Sequence, residues 1–140
     1  MTTAVTSHPV STAPGPAKWK LWTGRALSAL PIAAMVLSAT GKLSHAPGVV
    51  EQMTAKFGYP ERLMTPIGLL EVLCAVLYAV PRTAVLGAVL VTGYLGGAIA
   101  THVRVEDPAF AMPFLLGVIA WGGLYLRDPR VSAILPLRSK

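Results

Sequence analysis

Glu71 is the sole charged residue in the apolar run 63–80. A carboxylate inside a lipid-spanning segment costs roughly 2.5–3.5 kcal/mol on an insertion scale, so it needs a partner or a task. Further polar groups stand at the edges of neighbouring apolar runs. Lys42 closes the first run, His102 closes the third, and Arg104 follows His102 closely. Glu71 lies about seven residues into its run, roughly 10 Å deep at 1.5 Å per residue. If successive runs cross a bilayer up and down, Lys42, Glu71, His102 and Arg104 converge on one leaflet, with Ser38 and Thr40 near the same level. Cys74 and Tyr78 fall on roughly the same helical stripe as Glu71.

Two kinds of chemistry fit this grouping. Glu71 could pair with Lys42 or His102 and only fix the register of a helix bundle, a known use of buried ionic groups. Alternatively, Lys42, Glu71 and His102 could form a polar pocket with Arg104 at its mouth, binding a small molecule or a headgroup. In an enzyme, Glu71 or His102 would then serve as proton donor or acceptor. Other chemistries lack their residues. Cys74 is the single cysteine, so dithiol–disulfide exchange within the chain is excluded. His8 and His45 have no ligand spacing to His102, so no metal site is expected. The glycines lie in apolar runs and not in a phosphate-binding loop.

The elements that position these groups follow from composition. Hydrophobic residues make up 54% of the 140-residue chain and charged residues 13%. A soluble domain this small cannot hide so much apolar surface, whereas lipid can solvate it. The net charge of +6 does not indicate nucleic-acid binding, because the basic residues fall between apolar runs and form no basic face. At membrane boundaries such residues have an ordinary role. The expected fold is all-α, a transmembrane four-helix bundle with short loops and both termini on the same side. Residues 1–17, rich in Thr, Ser, Pro and Ala, read as a disordered tail. Residues 18–140 form the membrane domain, with spans at about 21–42, 63–80, 83–102 and 109–126, against the roughly 20 residues that a span needs. Trp19 and Trp22, interleaved with Lys18 and Lys20, suit the headgroup zone. Pro31 should kink the first span. A cleavable signal peptide ending near Ser38–Thr40 is a rival reading of that run. Val49, Val50, Met53 and Phe57 recur at helical spacing, as in a short helix lying on the membrane surface.

Orientation follows from Lys and Arg. Lys18, Lys20, Arg25, Arg82, Arg127, Arg130, Arg138 and Lys140 share the side of the termini, against Lys42, Lys56, Arg62 and Arg104 on the other. This places both ends in the cytoplasm. In the third span, Ala84, Ala88, Thr92, Gly96 and Ala100 repeat every four residues beside Gly93 and Gly97. Small residues at this spacing allow close helix contact in lipid, so this span is expected to be the most central.

The chain also resembles the DoxX-like family of small bacterial membrane proteins. The resemblance rests on Gly41-Lys42-Leu43, Gly58-Tyr59-Pro60, Gly68-Leu69-Leu70-Glu71, Pro81-Arg82-Thr83, Gly93-Tyr94-Leu95-Gly96-Gly97 leading to Ala100-Thr101-His102, and Trp121-Gly122-Gly123-Leu124-Tyr125-Leu126-Arg127. It implies a four-helix bundle in the cytoplasmic membrane, an accessory or small-molecule-binding role, and a link to quinone-coupled redox complexes. Quinone is thus the cofactor class to consider, and the bilayer, another membrane protein or a second copy of the chain are the partners. Eukaryotic relatives include a chaperone for ion-channel receptors, which makes an assembly factor a third reading. The thiol mechanism of the wider superfamily needs paired cysteines and does not carry over.

Overall fold

The computed structural model describes residues 18–134; the tail expected over 1–17 and the basic end over 135–140 lie outside the described residues. Every regular element among the described residues is helical. Four long helices, α1 (Lys18–Leu43), α3 (Met64–Ala79), α4 (Ala84–Arg104) and α5 (Ala111–Arg127), follow the four apolar runs. With the 3-10 turns Glu61–Leu63 and Pro108–Phe110 extending α3 and α5, all four are long and apolar enough to cross a membrane. Two short helices, α2 (Pro47–Glu51) and α6 (Pro129–Ile134), complete the chain.

α1 spans 26 residues, or about 39 Å, and continues through the fully buried Pro31. Lys42 in its last turn complements the negative end of the helix dipole. α1 packs mainly on α3 and α5, and α4 packs on the same two, so α1 and α4 face each other across the bundle. The closest crossings use glycines outside the predicted row. A Cβ on Gly123 of α5 would stand 2.6 Å from Ser28 Oγ, and one on Gly24 of α1 would stand 2.8 Å from the Arg127 nitrogen. A Cβ on Gly87 of α4 would meet the Tyr78 nitrogen at 2.2 Å. Backbones approach this closely only where side chains are absent.

The expected central role of the third span is corrected here. Among the four long helices, α1 makes the most extensive contacts and α4 the least. Ala84 and Ala88 are buried, but Thr92, Gly93, Gly96, Gly97 and Ala100 are exposed. A Cβ on Gly93, Gly96 or Gly97 would meet nothing within 4 Å. The four-residue period marks a face of α4; its first half reaches α3 or α5, Thr92 by accepting from the Trp121 Nε1–H at 2.8 Å, while Gly96 and Ala100 are exposed.

The end of the bundle that carries both termini of the described chain is held by a polar node. The buried Tyr78 hydroxyl lies 2.6 Å from the Ala120 carbonyl and 3.0 Å from Ser28 Oγ. Arg127 donates to the Tyr78 carbonyl at 2.7 Å, with its guanidinium 4.8 Å from the Tyr78 ring centroid. α6, where only a short basic tail was expected, buries Val131 against the same core.

At the opposite end, the segment expected to lie on the membrane folds inward instead. α2 continues into a π turn, Gln52–Lys56. Met53 and Phe57 are buried with Met64 and pack against Val49, Val50, Tyr59, Ile67 and Val105. Its apolar face therefore covers the bundle.

Candidate functional site

The site is built where α1 ends, α3 begins and α4 ends. Ser38 and Lys42 are one helical turn apart, so they share a face of α1. Lys42 Nζ lies 2.9 Å from Glu71 Oε2 and donates to Ser38 Oγ at 2.5 Å. The side chains are 11% and 4% exposed, so the ion pair is screened from solvent. An ammonium has three N–H donors, and among the described residues two of them find acceptors. Tyr94 of α4 lines the same cavity as Glu71. Gly68, one turn before Glu71, lets α3 close on Lys42 and Leu43, whose side chains would stand 3.0–3.3 Å from a Cβ there.

These groups line a cavity of about 1000 Å³. Met35, Lys42, Glu71 and Leu95 form part of its inner wall; Gln52, Met53 and Phe57 cover one end. A close-packed core would leave no void of this size, and the volume is at the upper end of the roughly 300–1,000 Å³ of small-molecule sites. Most of the lining is apolar, with a few convergent polar groups, the usual composition of a ligand pocket.

His102 lines the same cavity, but its ring is tied elsewhere. Its Nδ1 lies 2.8 Å from Asp107 Oδ2, and the ring meets Phe57 edge-on at 4.9 Å. Lys56 Nζ reaches the same Asp107 oxygen at 2.7 Å, and Asp107 Oδ1 accepts from the Ala109 N–H at 3.0 Å. Lys56, then the Ala109 N–H, then His102 hold the Asp107 carboxyl well below the usual carboxylate range. Thus Asp107 fastens the cover segment to the end of α4. A second tie joins them: the Tyr59 hydroxyl lies 2.8 Å from Thr101 Oγ1, which donates to the Gly97 carbonyl at 2.9 Å.

The structure thus brings Lys42 and Glu71 into contact and places His102 on the same cavity. It does not put Arg104 at the mouth. Arg104 is exposed, lies outside the lining and donates to the Phe57 carbonyl, because its position on α4 turns it toward the cover segment. Tyr94 was overlooked in the sequence. Its signal was the spacing Tyr94, Ala98, His102, one stripe of a helix. Asp107 and Lys56 had no such signal. Their meeting depends on a turn in which Glu106 takes a φ of 56°.

Comparison with curated proteins and with solved structures returns no match for the chain. A profile described as the DoxX-like family matches residues 26–123, from the first turns of α1 to the glycine at the α1–α5 crossing. That match covers most of the chain and includes Lys42, Glu71 and His102. With its four apolar helices, the chain is a multi-pass membrane protein that belongs to the DoxX-like family.

Proposed function

We propose that this is an accessory, ligand-holding protein of the cytoplasmic membrane, with both ends in the cytoplasm and the cavity in the outer half of the bilayer. The ligand is a lipid-soluble small molecule, a quinone being the class that suits the site and the family best, and the protein serves a quinone-linked redox system. The observation that carries this reading is the buried Lys42–Glu71 pair on the wall of a large, mainly apolar cavity. A pair that only fixed register would be stabilised by close packing around it. Here the space beside it is left open. A quinone ring presents carbonyl acceptors, and Lys42 has a donor to spare. The excess of Lys and Arg on the side of the termini supports the orientation.

The test is titration of detergent-solubilised protein with decylubiquinone, read by native mass spectrometry. The wild type should take up one molecule per chain. The Lys42→Met/Glu71→Leu double variant, which removes the pair without leaving an unpaired charge, should lose at least tenfold in affinity. Equal uptake by both proteins would remove the pair from the site.

A second reading, acid–base chemistry on the ligand, is favoured by His102. Asp107 fixes its Nδ1, which leaves Nε2 as the nitrogen available to the cavity, the arrangement of an oriented general base. A His102→Gln variant that binds decylubiquinone like the wild type but loses the biological activity of the chain would favour this reading. Full activity would exclude it.

A further inference from the structure

We infer that the ligand is a charge-neutral amphiphile with a hydrocarbon chain, and that it reaches the cavity sideways from the bilayer, between α3 and α4, with its chain lying over Gly93 and Gly97. This deepens the proposed function and rests on it.

The headgroup end follows from charge. Lys42 and Glu71 already neutralise each other at 2.9 Å. An anionic head would add an unpaired negative charge to a buried, balanced pair, which is expensive away from water. A neutral acceptor meets the spare Lys42 donor without upsetting that balance.

The route follows from which lining residues are exposed. Tyr94 of α4 and Glu71 of α3, on two helices packed together, line the same cavity. Gly93 and Gly97 lie a turn apart on α4, beside Tyr94 and further round toward the outside. Both line the cavity, both are exposed, and a Cβ on either would meet nothing within 4 Å. Leu70 of α3, also a lining residue, is exposed as well. The cavity is therefore open to the surroundings along this edge. In a bilayer those surroundings are acyl chains, and no side chain fills the opening at the two glycines. On α1 and α5 the exposed lining residues are Leu37, Ser38, Thr40 and Met112, with Ser38 bonded to Lys42 and Thr40 to the Val36 carbonyl. Leu37 and Met112 place bulky side chains there, whereas a Cβ at Gly93 or Gly97 would meet nothing within 4 Å. Gly96 provides an internal control: it is exposed and equally open, but lies outside the lining.

Filling the channel tests the route. Gly93→Leu/Gly97→Leu should retain the wild-type circular dichroism and elution volume, because a Cβ at either position meets nothing within 4 Å. Its decylubiquinone affinity should fall at least tenfold, while Gly96→Leu should match the wild type. Binding by the double leucine variant within twofold of wild type would overturn the route and leave the proposed function standing. If the wild type bound no decylubiquinone, the proposed function itself would fail. A second measurement does not depend on the variants. A fatty alcohol carrying a diazirine in its tail should label Leu70 and the stretch 93–101; labelling confined to Leu37 and Met112 would contradict the route. For the headgroup, oleyl alcohol should displace decylubiquinone from the wild type. Displacement by oleate at neutral pH with equal potency would overturn the charge-neutral assignment.

Discussion

A buried ion pair is weak evidence for stability and strong evidence for dependence, since each partner is tolerable only beside the other. Removing one partner of the Lys42–Glu71 pair should therefore hurt more than removing both. Lys42→Met and Glu71→Leu are each expected to lower unfolding free energy by about 3 kcal/mol, and the double variant should recover most of that loss. Denaturant titration in mild detergent measures the cycle; simple additivity would mean that the pair is not coupled. Asp107 supports a prediction on pH. Its carboxyl is held below the ordinary value by Lys56, Ala109 and His102, so its stabilising contribution is fully present above the unfolded value of about 3.9 and fades as pH falls further. The cover segment over 47–59 should resist proteolysis equally from pH 8 to about 5 and loosen progressively as pH falls below about 4, with Asp107→Asn open throughout. Equal protection of Asp107→Asn and wild type would show that the latch does not hold the cover. At this scale the sequence was informative where chemistry is scarce. One carboxylate in an apolar run pointed to Glu71 and to Lys42 or His102 as its partner, and the structure pairs it with Lys42, whereas Arg104 misled because a boundary arginine can turn toward solvent, lipid or a backbone carbonyl with equal ease.

Helices in lipid gain little from burying apolar surface against each other, so contact is decided by how closely backbones can approach. The fold makes its closest contacts at Gly24, Gly87 and Gly123, each of which faces a neighbouring backbone or Ser28. Gly87→Ala and Gly123→Ala should each lower the melting temperature markedly, since their Cβ atoms would stand 2.2 Å from Tyr78 and 2.6 Å from Ser28. Gly96→Ala should leave it unchanged or raise it, because alanine favours helix by about 1 kcal/mol over glycine and nothing crowds the site. A reversed order in a thermal shift assay would show that the bundle is assembled through the other face of α4. The sequence marked the elements themselves well, since hydropathy and length define spans. It could not say which of several small-residue rows is used. That choice depends on helix rotation, and the Ala84–Ala100 row looks as suitable on paper as the pair Gly24 and Ser28. Nor did it show that Met53 and Phe57 pack on protein and not lipid, because an apolar stripe suits either solvent.

For the molecule as a whole, the two ends of the bundle differ. One is closed by Tyr78, Ser28 and Arg127 around glycine crossings. The other encloses a cavity with an ion pair on its wall, a latched cover and an open flank at Gly93 and Gly97. A bundle tight at one end and hollow at the other is suited to holding a ligand in one leaflet. In the proposed orientation, which rests on the Lys and Arg distribution, that leaflet is the outer one. A reporter fused after Lys140 should accordingly be active only in its cytoplasm-dependent form, and activity of an export-dependent reporter would reverse the orientation while leaving the cavity intact. If Lys42 and Glu71 hold a lipid-soluble molecule in the cavity, it should survive purification from native membranes. Organic extraction followed by mass spectrometry, with the Lys42→Met/Glu71→Leu variant treated in parallel, measures this. A quinone should be recovered at close to one per chain from the wild type and at background level from the variant. The same amount recovered from both would contradict a ligand held by Lys42 and Glu71.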